Sequence, residues 1–280
     1  MSSDATTTRI YRYYSFKSFR QKCGVARLLL RNAVYAADPL SFNDPFDPST
    51  QVSFKNASPA DIEEFVFNRF SHDHPQQSPQ QVRKKAKDII QERGWDGDAL
   101  NWKLYNQALQ DHFEKEQASK LGIVCFSKVK DDILMWSHYA DGHRGVCFEF
   151  DSTALNRPNE QFIDVRYREH NERPSVKEYN SDGGKDSFFL QFKSSHWDYE
   201  EECRFFYYPE TYGGDRLCRL PPESLTGIII GCRMKAKEQN EILTLARLRT
   251  SKYKRPSLRV FRAAPNIDTY SLKVESFPTS

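Results

Sequence analysis

The sequence predicts an α+β fold, in which a mixed or antiparallel sheet has flanking helices and a helical insertion. Strand-like runs cluster in the second half of the chain and do not alternate regularly with helices, as a doubly wound parallel sheet would require. The middle of the chain, residues 59–120, shows charged, amphipathic helical periodicity instead. The 20 Phe, 14 Tyr and 4 Trp residues supply enough large apolar surface for a folded core.

The first half of the chain is predicted to contain one strand, several helices and a long ordered loop. Ile10–Phe16 is crowded with tyrosine and phenylalanine and follows a polar segment, which favours a strand. Cys23–Tyr35 carries apolar residues at helical spacing. Asp38–Thr50 is dense in proline, aspartate and asparagine, which is typical of a structured loop. Helices then follow from Pro59 to Lys120.

The second half is predicted to be mainly strands. Periodicity leaves Phe188–Lys193 open between helix and strand. The predicted strands are Ile123–Phe126, Gly145–Phe150, Phe162–Tyr167, Glu200–Tyr208, Gly227–Gly231 and Leu258–Arg262, and the predicted helical segments are Ile133–Tyr139 and Lys235–Leu248.

We expect a single domain over residues 10–265, with the helical insertion at about 59–120 and tails at 1–9 and 266–280. No internal repeat is visible, and 280 residues is within the range of one large domain.

Charge and cysteine content narrow the class of protein. The chain has 41 basic and 38 acidic side chains, so its net charge of +3 does not indicate nonspecific nucleic-acid binding. None of the six cysteines forms a C-x-x-C pair, and Cys125 and Cys147 lie in apolar runs, which favours reduced thiols.

The start of the chain lacks the apolar run of a secretory signal, and no apolar run is long enough for a membrane span. We therefore expect a cytoplasmic protein.

The first motif is FNDPFD, Phe42–Asp47. Asparagine and aspartate before proline set a tight turn, because their side chains bond the nearby backbone. Two interpretations stay open. The motif is either a structural turn or the edge of a ligand cleft, in which Asn43 and Asp44 would face the ligand.

The second motif is MWSHYADGHRGVCFEF, Met135–Phe150, where Trp136, His138 and Tyr139 fall within one helical turn. These side chains either line a pocket, in which a tyrosine ring stacks on a heteroaromatic ligand, or, for Trp136 and Tyr139, belong to the core. His138 and His143 are five residues apart, which is not the spacing of a helical metal pair, so no metal site is expected.

The third motif is WDYEEECRFFYY, Trp197–Tyr208. On a strand, alternation would put Glu200, Glu202 and Arg204 on one face. Two close carboxylates beside a guanidinium form a plausible reactive site if they line a cleft, because close carboxylates push their pKa values apart. On an exposed edge strand the same residues would be a solvated ladder of charges.

Taken in order, these motifs, together with YRYYSF at the start and GIIIG near the end, resemble the mostly bacterial domain-of-unknown-function family numbered 2971. The resemblance extends from about Ile10 to Phe261. The layout is also similar to the ADP-ribosyltransferase superfamily, which has an early strand with a polar residue, a middle aromatic motif and a late strand with E-x-E. This chain departs from that pattern in two places, since the early strand has no histidine and the middle motif is Trp-Ser-His-Tyr.

The superfamily resemblance implies roles for particular residues. Glu202 would be the catalytic carboxylate that grips the ribose of NAD and stabilises an oxocarbenium-like transition state, and Glu200 would orient the acceptor. Arg12 would hold the dinucleotide, and Tyr139 would stack on nicotinamide. The other residues expected to bind or support the cofactor are Tyr11, Asn43, Asp44, Ser127, Trp136, His138 and Arg204.

Three functions follow as hypotheses. The first is an NAD-dependent ADP-ribosyltransferase that modifies a macromolecular acceptor in a toxin or defence role. The second is a binding module that recognises a nucleotide or nucleic acid without turnover. The third is a metal-dependent phosphodiesterase that uses Asp44, Glu149 and Glu202, which is less favoured because no acidic cluster has metal-ligand spacing.

Overall fold

The computed structural model describes residues 9–92, 99–155, 162–169, 172–184, 186–209 and 213–277. The chain divides into two compact units. The first, here called the sheet unit, comprises Met1–Ala37, Leu121–Asp164 and Trp197–Ser280, and the second, the helical unit, comprises Asp38–Lys120 and Val165–His196. The expected insertion at 59–120 lies in the helical unit, although its residues 93–98 are outside the described ranges. The expected single domain stays a prediction.

Strands and helices are both abundant, as the sequence predicts. The strands are β1 Arg9–Tyr14, β2 Ala33–Tyr35, β3 Gly122–Ser127, β4 Val146–Asp151, β5 Phe162–Asp164, β6 Arg166–Arg168, β7 Phe192–Ser194, β8 Glu202–Tyr207, β9 Leu217–Arg219, β10 Leu225–Ile230, β11 Arg259–Pro265 and β12 Leu272–Ser276. The α-helices are α1 Phe19–Arg31, α2 Pro59–Asp73, α3 Pro79–Glu92, α4 Ala99–His112, α5 Ile133–Tyr139, α6 Val176–Ser181 and α7 Ala236–Tyr253.

An eight-stranded sheet forms the centre of the sheet unit, in the order β12-β11-β10-β4-β1-β3-β8-β5. In the described part of this sheet, β10 and β11 pair in parallel and the other neighbours are antiparallel. This mixed, mostly antiparallel sheet confirms the predicted α+β class.

The two faces of this sheet carry different side chains. The core face carries Ile10, Phe126 and Phe148, which belong to the main apolar cluster together with Leu28 of α1 and Ile242 of α7. The opposite face, here called the α5 face, forms a smaller cluster in which Tyr11, Cys147 and Ile229 pack with Trp136 and Ala140. Because successive strand residues point to opposite faces, neighbours such as Ile10 and Tyr11 belong to different clusters.

Helices α1 and α2 each begin after a serine whose side chain caps the helix. The Ser18 side chain accepts from the backbone N–H of Gln21, and the Gln21 side-chain oxygen accepts from the backbone N–H of Ser18, so α1 has a complete capping box. Ser58 and Asp61 make the same arrangement before α2. These local bonds satisfy N–H groups that a helix leaves without intrahelical partners.

Several predicted segments differ from the structure. The helix predicted over Cys23–Tyr35 ends at Arg31, because Asn32 adopts the left-handed conformation, and Ala33–Tyr35 is the strand β2. Phe162–Tyr167 is not one strand, since β5 ends at Asp164 and joins the large sheet, whereas β6 pairs with β7 in the helical unit. Phe188–Lys193 is split between a 3-10 helix and the start of β7. The expected tail at 266–280 contributes β12, because Leu272–Ser276 pairs with β11; residues 1–8 and 278–280 of the expected tails are outside the described ranges.

No helix in the described ranges combines the length and the apolar character needed to cross a membrane.

Candidate functional site

A row of polar side chains crosses four neighbouring strands on the α5 face. In the pairing register, Glu149 of β4 lies opposite Tyr11 of β1, Tyr11 opposite Ser127 of β3, and Ser127 opposite Glu202 of β8. Side chains that face each other across strands share one face of a sheet. Three of the sequence-predicted site residues, Tyr11, Ser127 and Glu202, are therefore brought into one row by strands that are distant in sequence.

Glu202 and Arg204 form a buried ion pair at the β8 end of this row. Arg204 donates from Nε to Glu202 Oε1 at 2.9 Å and from Nη2 to Oε2 at 3.1 Å. The Arg204 side chain is completely buried, and Glu202 retains 6% of its accessible surface. Two parallel bonds of this kind fix both the position and the orientation of the carboxylate.

Glu200 is held by a different part of the backbone. The predicted strand from Glu200 is wrong at its start: Glu200 ends a 3-10 helix over Ser195–Glu200, Glu201 has a φ of 39°, and β8 begins at Glu202. Glu200 and Glu202 therefore do not share a strand face by alternation. Instead, the hydroxyl of Ser127 donates to the Glu200 carbonyl at 2.6 Å, which fixes this turn against the end of β3.

The Glu200 side chain is paired with Tyr139 of α5. The Tyr139 hydroxyl donates to Glu200 Oε1 at 2.5 Å, and Glu200 is 4% exposed. A short hydrogen bond to a buried carboxylate restricts its rotation and stabilises its charge. The α5 helix that the sequence predicts thus supplies a direct partner for one of the two predicted carboxylates.

The other predicted residues of α5 have contrasting environments. Trp136 is fully buried, packs edge-to-face on Tyr13 with ring centroids 5.3 Å apart, and donates its indole N–H to the Lys130 carbonyl. It belongs to the core, which was one of the two interpretations of the motif. His138 is exposed, and its ring centroid lies 6.4 Å from those of both Tyr139 and Tyr199.

Arg12 lies on the core face and is thereby separated from Glu202. Its Nη1 donates to the Cys125 carbonyl at 2.5 Å, its Nε donates to the Tyr14 hydroxyl at 3.0 Å, and its guanidinium also lies over the Phe126 ring. Burial opposes the charge of Arg12, but Tyr14 and Cys125 outweigh it and hold the pKa of Arg12 above its ordinary value. Strand alternation is the reason that adjacent Tyr11 and Arg12 face opposite ways.

Two groups near the row are kept neutral. Burial first, and the Glu149 carboxylate second, raise the pKa of Tyr11 to about 12. Burial, with a contribution from Glu202, raises the pKa of the Cys125 thiol well above its ordinary value. A thiol is a nucleophile only as the thiolate, so Cys125 is not suited to nucleophilic attack near neutral pH.

Asn43 and Asp44 belong to the helical unit. Asn43 is exposed, whereas Asp44 is buried and accepts a bond from the backbone N–H of Phe46 at 2.9 Å. Asp44 therefore stabilises the turn of its own motif, which is the structural role that the sequence left open.

The sequence did not reveal a contact between Ser137 and His143. Ser137 Oγ lies 3.2 Å from His143 Nε2, because three successive residues with positive φ, Asp141, Gly142 and His143, turn the chain back beside α5. Burial, followed by the charges of Arg233 and Arg144, lowers the pKa of His143. Only the run Asp-Gly-His hinted at such a turn, since these residue types tolerate the left-handed region better than most.

Two of the carboxylates of the phosphodiesterase hypothesis, Glu149 and Glu202, lie far apart in the large sheet. Glu149 and Glu202 are three strand spacings of about 4.8 Å apart, or roughly 14 Å, which is too far for one shared ion. Glu149 is bound instead by Arg9, at 2.7 Å, and by Arg259. Among the residues that the structure describes, no group of three or more histidine, cysteine, aspartate or glutamate side chains is arranged to hold a metal ion.

One family of known proteins matches a part of the chain. Residues 135–205 match the family described as "Protein of unknown function (DUF2971)", which is about a quarter of the chain. No curated protein and no solved structure matches the chain. The matched segment contains Tyr139, Glu200, Glu202 and Arg204, so the paired carboxylates and their two partners lie in the part of the chain that carries the family's pattern. This match supports the family assignment that the sequence motifs suggest, and the family's description gives no activity.

Proposed function

We propose that this protein is an NAD-consuming ADP-ribosyltransferase in which Glu202 and Glu200 are the working carboxylates. The observation that carries the proposal is the pair of buried carboxylates beside the start of β8, each held by its own donor, Arg204 or Tyr139. Burying two carboxylates is costly unless hydrogen bonds hold them. Carboxylates fixed in this way suit a reaction in which positive charge develops on a sugar.

In the proposed reaction, NAD is the substrate and Glu202 acts on its nicotinamide-bearing ribose. The bond between the ribose C1′ and the nicotinamide nitrogen breaks, and the bonding electron pair leaves with nicotinamide. Positive charge then develops on the ribosyl group, and a fixed carboxylate stabilises it. The two hydrogen bonds from Arg204 hold the Glu202 carboxylate in one orientation, so that it needs little reorganisation when charge develops on the ribosyl group.

Glu200 is proposed to act on the acceptor. An acceptor nucleophile forms the new bond to C1′ and loses its proton to the Glu200 carboxylate, so the charges balance. The hydrogen bond from Tyr139 uses one Oε1 site and orients the group for this transfer. Arg12 has no part in this proposal, because it lies on the other face of the sheet.

The experiment measures the release of nicotinamide from NAD by the purified protein, with nicotinamide quantified by chromatography. We expect release by the wild type, a loss of at least about 100-fold in Glu202→Gln, and a smaller loss in Glu200→Gln, in which water still replaces the acceptor. Circular dichroism and thermal melting of each variant establish that it is folded.

Binding of NAD without release would favour the binding-module hypothesis over the transferase. If the protein neither bound NAD in calorimetry nor released nicotinamide, the proposed function would be contradicted outright. If Glu202→Gln released nicotinamide at the wild-type rate, Glu202 would have no role in the reaction.

A further inference from the structure

The helical unit contains a cavity of about 210 Å³ that the transferase chemistry does not use. Its lining comes from three chain segments: the FNDPFD loop and the residues after it, the segment around β6, and the segment around β7. The lining residues on which the argument depends are Phe46, Arg168, Glu169, Glu172, Arg173 and Phe192. The cavity therefore combines two aromatic rings with charges of both signs.

Phe46 is presented to the cavity by a rigid turn. Asp44 Oδ1 accepts from the Phe46 backbone N–H at 2.9 Å, and the Asp47 N–H donates to the Asp44 carbonyl at 3.1 Å. Asp44 and Asp47 are both buried, yet Phe46 between them is 63% exposed. The turn thus exposes the Phe46 ring at the cavity, where a planar ligand can stack on it.

A guanidinium accompanies each of the two rings. The Arg173 guanidinium lies 5.8 Å from the centroid of Phe46, and the Arg168 guanidinium lies 5.3 Å from the centroid of Phe192. Arg168 is paired with Glu178, but its Nε is buried without a hydrogen-bond partner among the residues that the structure describes. Arg173 is exposed, and its Nη1 lies 3.4 Å from Ser49 Oγ. Arginine beside an aromatic ring is suited to a planar ligand that carries a negative group.

Two carboxylates, Glu169 and Glu172, also line the cavity and argue against a bare anion as the ligand. Carboxylates accept hydrogen bonds, so they suit hydroxyl or amino donors on the same ligand. The cavity is smaller than the roughly 300–1,000 Å³ of pockets for drug-sized ligands, so it suits a ligand no larger than a single nucleotide and not a dinucleotide.

We propose that this cavity binds one nucleoside monophosphate, with the base stacked on Phe46 and the phosphate bound by Arg173. Glu169 and Glu172 would accept hydrogen bonds from the sugar hydroxyls or from an amino group of the base. The site is independent of the transferase chemistry, because none of its residues takes part in that reaction.

The test is isothermal titration of the full chain with the ribonucleoside 5′-monophosphates of adenine, guanine, cytosine and uracil. We expect at least one of them to bind, and we expect Phe46→Ala and Arg173→Ala each to weaken that binding by about tenfold or more. Arg83→Ala is the matched control: Arg83 lies over the Phe67 ring in the same unit, with its guanidinium 4.0 Å from the centroid, and it does not line the cavity.

Titration with the corresponding nucleoside and with inorganic phosphate separates the two halves of the ligand. The proposal requires both to bind more weakly than the monophosphate. It is overturned if no monophosphate binds, if phosphate alone binds as well as the monophosphate, or if Arg83→Ala weakens binding as much as Arg173→Ala. Each of these results is independent of whether the protein releases nicotinamide from NAD.

Discussion

At the residue scale, the hydrogen bond from Tyr139 to Glu200 connects α5 to the start of β8. Tyr139→Phe removes the hydroxyl and leaves a buried carboxylate short of one donor. We expect nicotinamide release to fall about tenfold and the free energy of unfolding to fall by about 1–2 kcal/mol. Initial rates and urea denaturation measure the two effects.

Tyr253→Phe is the control for that change. The Tyr253 hydroxyl donates to the Leu30 carbonyl at 3.0 Å, in the same unit but on the core-face helices. This variant should lose a comparable amount of stability without losing turnover. If both variants lowered turnover equally, Tyr139 would have only a structural role.

The ion pair between Arg204 and Glu202 is a second feature at the scale of single residues, and both of its side chains are buried. Arg204→Met leaves the Glu202 carboxylate buried without its cation, and we expect it to lower the free energy of unfolding by about 3–5 kcal/mol. Arg255→Met breaks a pair with Glu223 in which both side chains are about half exposed, so the expected loss is under about 1 kcal/mol.

Urea denaturation of these two arginine variants measures the difference directly. Equal losses would mean that Glu202 finds other compensation when Arg204 is removed. In that case the fixed geometry assigned to Glu202 would not depend on Arg204.

At the element scale, the turn after α5 depends on a glycine that is distant in sequence. A Cβ on Gly231 would lie 2.3 Å from the His143 carbonyl oxygen, and His143 belongs to the run of positive φ values. Gly231→Ala should therefore lower the free energy of unfolding by about 1–3 kcal/mol or more, since backbone atoms must move.

Gly24→Ala is the matched substitution in a helix. Apart from its chain neighbours and the backbone of α1 itself, no atom of the described residues lies within 4 Å of a Cβ built on Gly24. This change should raise the free energy of unfolding by about 0.5–1 kcal/mol, because alanine favours the helix. Thermal melting of both variants checks the opposite signs, and a stabilising Gly231→Ala would show that the turn does not require close packing at this position.

Several of the individual helices and strands could be predicted from the sequence. Ile133–Tyr139 was predicted as a helical segment and forms α5, and the runs Gly145–Phe150 and Gly227–Gly231 correspond to β4 and β10. Local patterns succeed there because each run is strongly apolar or clearly periodic. The prediction that Glu200 lies in the strand was wrong, because Glu201 has a positive φ and ends the extended backbone before β8. A run of three glutamates gives no sign of this change.

At the scale of the whole molecule, the candidate site depends on strand order. Tyr11, Ser127 and Glu202 are neighbours because β1, β3 and β8 lie side by side, and hydrophobic periodicity does not determine this order. The same limit explains β12, since a polar C-terminal segment became a strand only by pairing with β11. Arg12 is a different case, because alternation within β1 alone places it on the face opposite Tyr11, so the two residues could not both bind one cofactor.

The most direct test of the proposed function is to compare two buried carboxylates of the α5 face. Glu149 is 4% exposed and paired with arginine, as Glu202 is, but it lies about three strands from the proposed reacting group. With folded fractions matched by circular dichroism, Glu149→Gln should keep wild-type nicotinamide release, whereas Glu202→Gln should lose at least about 100-fold. An equal effect of both substitutions, or a wild-type protein that releases no nicotinamide, would contradict the assignment of Glu202 as the carboxylate that acts on NAD.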